Sequence, residues 1–270
     1  MVDTSSFTSN MATGWGGAIY LTQAILDVSS SSFVSNQGDS GGGIRISNAD
    51  PSQIRSSEFQ SNVASSGFGG AVFTWGSSID MLSSRFHDNE ASQYGGALAL
   101  GTGYKQVFDC TFTDNTAGTE GGAIRAHVTA SSPLWVGSTS LRNNVAADIG
   151  GIFLNSLPQH AVLRNLVLWG NGGDVGGVAG ASSPTIANVC SEFFLEAGGG
   201  NLVPASDPFV AGPDGELFLL PASLCVDAGD SAAASADYGV IGLDWADLST
   251  QMDGSLDAGI VDMGAHYAVE

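Results

Sequence analysis

The stretch Phe86-His87-Asp88-Asn89-Glu90-Ala91-Ser92-Gln93-Tyr94-Gly95-Gly96-Ala97-Leu98 decides the fold, because the chain keeps returning to its outline. That outline is F-x-x-N, a short polar connection, a double glycine and a small-plus-aliphatic pair. It stands at Phe7/Asn10 with Gly16-Gly17-Ala18-Ile19, at Phe33/Asn36 with Gly42-Gly43-Ile44, and at Phe59/Asn62 with Gly69-Gly70-Ala71-Val72. After the quoted copy it returns at Phe112/Asn115 with Gly121-Gly122-Ala123-Ile124. Two degenerate copies follow, Leu141/Asn144 with Gly150-Gly151-Ile152 and Leu168/Asn171 with Gly176-Gly177-Val178. The intervals between first apolar positions are 26, 26, 27, 26, 29 and 27 residues, too regular for coincidence.

A period this short, written in Ser, Thr, Gly, Asn and β-branched residues, excludes helical repeats and favours strands joined by tight turns. Each copy holds three short apolar stretches, for example Ser84-Arg85-Phe86, Ala97-Leu98-Ala99-Leu100 and Gln106-Val107-Phe108. Three strands per turn describe one coil of a parallel β-helix, an all-β fold whose coils stack because none can bury its apolar face alone. Successive coils rise by the inter-strand distance of about 4.8 Å, so seven make a rod roughly 30 Å long.

Alignment of the copies gives columns. Phe7, Phe33, Phe59, Phe86, Phe112, Leu141 and Leu168 form an inward stack; Ser5, Ser31, Ser57, Ser84, Cys110, Thr139 and Leu166, two residues earlier, share its face. A second inward column runs Ile19, Ile44, Val72, Leu98, Ile124, Phe153. Asn10, Asn36, Asn62, Asn89, Asn115, Asn144 and Asn171 read as a structural ladder of side-chain amides, one per coil. The glycines ahead of the second strand supply a corner at positive φ.

F-x-x-N paired with G-G-A-[I/L/V] resembles the repeat of the polymorphic outer membrane proteins, bacterial surface proteins whose passenger domains are right-handed parallel β-helices of the pectate-lyase-like kind. The resemblance spans about residues 5–180 and implies a secreted or cell-surface scaffold, with adhesion among the family's roles. A second resemblance lies in Asn201-Leu202-Val203, Asp207-Pro208-Phe209-Val210, Leu224-Cys225-Val226-Asp227-Ala228-Gly229-Asp230 and Val261-Asp262-Met263-Gly264-Ala265-His266-Tyr267. These are similar to the segment closing pectate-lyase-like β-helices carried on bacterial surfaces. Autotransporter barrel, export signal and sorting anchor are not recognisable, so the chain reads as a piece of a longer surface protein.

Composition narrows the partners. With 27 Asp plus Glu against 7 Lys plus Arg, the formal charge is −20, which excludes nucleic acid and argues against an anionic membrane surface. No apolar run is long enough for a bilayer helix, so direct membrane insertion is not expected.

The organisation expected is a repeat domain over 1–190 and, packed with it as one continuous domain, final coils and a cap over 191–270. Residues 201–270 hold twelve acidic residues and no Lys or Arg, in keeping with an irregular acidic cap shielding the last strand edge. Asp227, Asp230, Asp237, Asp244, Asp253 and Asp257 are candidate Ca²⁺ ligands, although their spacing matches no compact Ca²⁺ loop; Ca²⁺ is possible and no cofactor is required. Cys110 reads as a buried small hydrophobe, while Cys190 and Cys225 lie close enough in the chain to pair or to stay free.

Asp88 and Asp114 form the sharpest catalytic candidate. They occupy one repeat position in adjacent coils, about 5 Å apart, which approaches the separation of a retaining glycosidase pair. Against this, the same position holds Ser9, Ser35, Ser61 and Asn143, the choice of a turn. Lyase chemistry lacks a cation cluster: one lysine, Lys105, and arginines spread along the repeats, with Arg45 and Arg125 sharing a column three coils apart. Trp15, Phe68 and Tyr94 each precede a double glycine and form either a plug over the corner or a broken strip for sugar rings or a protein partner. Arg85 and His87 complete the candidate binding set. The expectation is a binding or adhesion module for a cell-surface protein or glycan, without catalysis of its own; a polysaccharide hydrolase or lyase and a structural spacer are the alternatives.

Overall fold

The computed structural model describes residues 1–177, 182–193, 195, 199–212, 217–230, 248–250 and 262–268. Among them the chain winds into a parallel β-solenoid of stacked coils on three parallel sheets. One sheet passes through Ile19–Thr22, Ile44–Ser47, Val72–Trp75, Leu98–Leu100, Ile124–Val128, Ile152–Ser156 and Val175–Gly177. A narrow second sheet holds Gln37–Gly38, Val63–Ala64, Glu90–Ala91 and Thr116–Ala117. The third and widest is bent, so a middle coil carries four short strands where three faces were expected. The bend is a left-handed residue in every coil: Thr4, Ser30, Ser56, Ser83, Asp109, Ser138, Asn165 and Asn188 have φ between 43 and 53°. It divides, for example, Ile79–Leu82 from Arg85–His87.

The residue after the bend explains its own column. Ser31, Ser57, Ser84 and Thr139 each donate a hydroxyl hydrogen bond to the carbonyl two residues back, at 2.7–2.8 Å. The same oxygens of Ser31, Ser57 and Ser84 accept the amide N–H of the preceding coil's serine, at 3.1–3.2 Å. Hydroxyls therefore satisfy buried backbone groups where the sheet ladder is interrupted.

Coil register follows the columns. Phe7 pairs Phe33, Phe33 pairs Phe59, Phe59 pairs Phe86, and Phe86 pairs Phe112, which faces Leu141 and then Leu168. The five rings stack with centroids 4.7–5.0 Å apart and planes within 11°, the offset parallel geometry that rung spacing imposes. Each buried ring contributes about 1.5–3 kcal/mol by leaving water. The second column needs one correction: Ile124 pairs Ile152, and Phe153 lies opposite Arg125 on the outer face. In a strand a one-residue slip reverses the face, so Phe153 leaves the interior column.

Asparagine side chains run the length of the stack. In every step from Asn10 to Asn171, the backbone N–H and the side-chain Nδ2 of one Asn both donate to Oδ1 of the next, at 2.8–3.1 Å. From Asn36 onward Nδ2 also donates to the carbonyl of the preceding coil's Phe or Leu, at 2.8–3.2 Å. The ladder ends on a residue that the repeat did not announce. Asn171 Nδ2 donates to Oδ1 of buried Asp174 at 2.8 Å, and Ser191 Oγ donates to its other oxygen at 2.6 Å.

Burial pushes the Asp174 carboxyl above the usual carboxylate range, against the pull of Ser191 and Asn171. A raised folded pKa means the folded state resists ionising the group. The penalty is absent below the ordinary carboxylate pKa and develops as pH rises through the raised one. In Asp174→Asn the amide oxygen keeps the Asn171 bond, and the Ser191 hydroxyl turns its one hydrogen to Phe193 O, 2.8 Å away, and accepts from the new NH₂. The variant should match the parent in thermal melts near about pH 4 and exceed it by on the order of 1 kcal/mol near about pH 7.

Beyond the last long strand, Thr185–Ser191, residues 199–202 add a partial rung through the Cys190–Leu202 bridge. Val167, Cys190, Phe209, Leu217, Leu219, Cys225 and Met263 form a second apolar cluster against the outer side of the bent sheet. Cys190 and Cys225 are joined by a disulfide. Residues 263–266 then run back across the coils: Gly264 N–H donates to Asn165 O, Ala265 N–H to Ser140 Oγ and His266 N–H to Asp109 Oδ1, at 2.7–3.0 Å. The disulfide closes a loop with a sequence separation of 35, so its loss should lower stability by about 3–4 kcal/mol. A thiol titration of unfolded, unreduced protein should find one reactive cysteine, buried Cys110, and three after reduction.

Candidate functional site

The catalytic candidates share a backbone conformation with the same position in other coils. Asp88 and Asp114 stand on adjacent rungs, with Asp88 N–H donating to Thr113 O at 3.1 Å. Their φ values, 57 and 55°, match those of Ser9, Ser35, Ser61 and Asn143, which lie between 52 and 57°. Short polar side chains that tolerate the left-handed region fill this corner in the first six coils, and Gly170 takes it in the seventh at φ 69°, so a turn demand is sufficient reason for both aspartates. Asp88 turns its carboxylate to His87 Nδ1 at 3.2 Å, while His87 Nε2 meets Glu58 Oε1 at 3.1 Å. Arg85 lies on the same strand, in register with Glu58 and Thr111. Arg85 and His87 thus belong to a charged patch on the bent sheet.

Lys105 is withdrawn from surface chemistry altogether. The side chain is fully buried, and Nζ donates to the carbonyls of Gly101, Gly103 and Ser132 at 2.7–3.1 Å. Burial pushes its pKa down to about 8. Its chemistry is that of a clasp on three turn carbonyls.

Of the cation candidates, Asp227 and Asp230 are described and do not converge. Asp227 N–H donates to Asp262 Oδ1, and Asp230 N–H donates to Asn165 Oδ1 at 2.8 Å. Asp237, Asp244, Asp253 and Asp257 lie outside the described residues. Among the described residues no group of three or more His, Cys, Asp or Glu is placed to hold a metal ion.

The aromatic residues do converge, with partners the repeat motif alone did not identify. Along the sheet that follows the double glycine, the first outward position runs Tyr20, Arg45, Phe73, Ala99, Arg125, Phe153. Trp15, Phe68 and Tyr94 fold from the corner onto this row. Trp15 meets Tyr20 edge-on at 5.5 Å, and the Arg45 guanidinium lies 3.8 Å from the Trp15 centroid and 4.8 Å from that of Phe73. Phe68 packs on Phe73 at 5.4 Å and stacks with Tyr94 at 5.3 Å, and Arg125 covers Tyr94 at 5.1 Å. Arg45 and Arg125, although three coils apart, are therefore linked through a chain of rings.

Exposure is graded along this strip. Trp15 and Tyr20 are 50% and 45% exposed, whereas Phe73 is buried and Arg45, Phe68, Tyr94 and Arg125 are intermediate. Arg125 Nε lies 3.6 Å from Glu120. Arg45 has no carboxylate within ion-pair distance among the described residues, only Ser47 Oγ at 3.4 Å, and partial burial lowers its pKa from the ordinary arginine value. The outward alternation after each double glycine was the available signal for Tyr20 and Phe73.

Residues 4–22 and 109–127 each cover the bend, the F-x-x-N phrase, the double glycine and the strand beneath this strip; both match a family model. Both segments are similar to the Chlamydia polymorphic membrane protein repeat. Its two matched copies are the first and fifth coils, and the ladder and ring stack show the intervening coils wound on the same plan. The recurring positions of these copies build the scaffold, while the strip is built from outward positions that differ from copy to copy. No curated protein sequence and no solved structure matches the chain.

Proposed function

We propose that the protein is a bacterial cell-surface binding module, a rigid solenoid that engages a glycan or protein ligand along the aromatic strip and performs no chemistry of its own. The observation that carries the reading is the pair Trp15 and Tyr20, large rings held half-exposed by an arginine and an edge contact. Rings fixed in this way lose little conformational freedom on binding and offer an apolar face with polar edges, the properties that concentrate binding energy in aromatic and arginine residues. A charge of −20 keeps an exported rod dispersed. The polymorphic membrane protein repeat supports the surface location.

A glycan array and a bacterial and host-cell binding assay test the proposal directly. Trp15→Ala should weaken the strongest binding by about tenfold or more. Unchanged binding in that variant would remove the strip from the mechanism. Release of reducing ends or unsaturated products from a bound glycan would replace the binding reading with the enzyme reading.

A further inference from the structure

We infer that Arg45 is a carboxylate anchor, and that the ligand of the Trp15–Tyr20 end of the strip is an acidic glycan carrying a sugar carboxylate. The inference rests on the binding reading above and adds the ligand's chemistry. Most of the chain's cations have defined employment: Arg55 pairs Asp27, Arg125 pairs Glu120, Arg142 pairs Asp207, and Lys105 is buried on carbonyls. Arg45 differs. Its guanidinium is oriented by two rings and one hydroxyl, with no counter-carboxylate among the described residues, in a protein that has acidic groups in excess.

A guanidinium stacked by its face on rings leaves its N–H edge for an acceptor, and a carboxylate matches that edge with two parallel hydrogen bonds. Beside it Trp15 and Tyr20 offer open ring surface. A pyranose ring with a carboxylate answers both features at once: its C–H face packs on the indole while the acid group reaches Arg45. The protein's overall negative charge does not forbid this contact. At physiological ionic strength its repulsion is screened beyond about 8 Å, whereas the anchor acts at contact distance.

The test uses tetragalacturonic acid and the same oligosaccharide with its carboxylates reduced to alcohols, titrated calorimetrically into the intact protein in physiological salt. The acid form should bind about tenfold or more tightly than the reduced form. Arg45→Gln should abolish that preference while leaving affinity for the reduced form in place, and Trp15→Ala should weaken both. Arg45→Lys, which keeps the charge but not the fork, should recover only part of the preference. Melting curves establish that each variant is folded. Equal affinity for the two forms, or a preference that survives in Arg45→Gln, overturns the anchor and leaves the strip standing. Absence of binding by either form overturns the anchor and counts against the strip's reading as well.

Discussion

Gly96→Ala should abolish folding, with no cooperative melt and little soluble protein, a loss above about 4 kcal/mol. In the first five coils the two corner glycines do different work; in the second coil they are Gly41 and Gly42, in the sixth Ile149 takes the left-handed corner at φ 48°, and Gly176-Gly177 fall within a strand and not at the corner. Gly16, Gly41, Gly69, Gly95 and Gly121 sit at φ of 64–66°, the left-handed corner expected of them. The glycine that follows has ordinary φ and is excluded from carrying a side chain by the next coil. A Cβ on Gly96 would collide with the Gly122 carbonyl oxygen and lie 2.7 Å from backbone atoms of Thr116. Gly17, Gly42, Gly70 and Gly122 meet the same obstruction from the coil that follows each. Backbone cannot rotate aside as a side chain can, so relief requires parting the coils. The control is Gly14→Ala: nothing lies within 4 Å of its Cβ position, and its melt should stay within about 0.5 kcal/mol of the parent.

Asn89→Leu should cost about 3–5 kcal/mol, read from chemical denaturation. The change removes the acceptor of two buried donors, Asn62 N–H and Asn62 Nδ2, both at 3.0 Å. It also strips the Phe59 carbonyl and Asn115 Oδ1 of one donor each. Leucine fills similar volume, so the loss reports unpaired polar groups and not a cavity. Asn10→Leu, at the exposed end with no preceding coil described, should cost under about 1 kcal/mol. Equal losses at the two positions would mean that the amides do not act as a ladder.

The solenoid was legible because stacking converts a sequence interval into a spatial column. Phe86 and Asn89 recur at 26 or 27 residues, and rung spacing then places like on like without further information. Whatever depends on contact between different columns was hidden. Arg45 lies thirty positions from Trp15 and joins it only because a corner side chain folds down onto a strand. The bend at Ser83 is not legible in the sequence because serine gives no sign of left-handed backbone until its neighbours in the column are known to share it. The left-handed corner that Asp88 and Asp114 occupy was already indicated by Ser9, Ser35, Ser61 and Asn143. Asp174 lies inside the last, degenerate repeat, three residues after Asn171, and is defined by the end of the ladder. Whether Cys190 pairs Cys225 turned on the path of the irregular segment between them, which no period describes.

The one-way order of the asparagine bonds has an electrical consequence. Every side-chain amide points its N–H toward the later coil and its oxygen toward the earlier one, so seven dipoles add head to tail, as peptide units do along a helix. The positive pole abuts the Asp174 carboxylate inside the protein, and the negative pole is the Asn10 oxygen at the surface. The rod is polarised along its axis, and its positive pole is set against an acidic side chain.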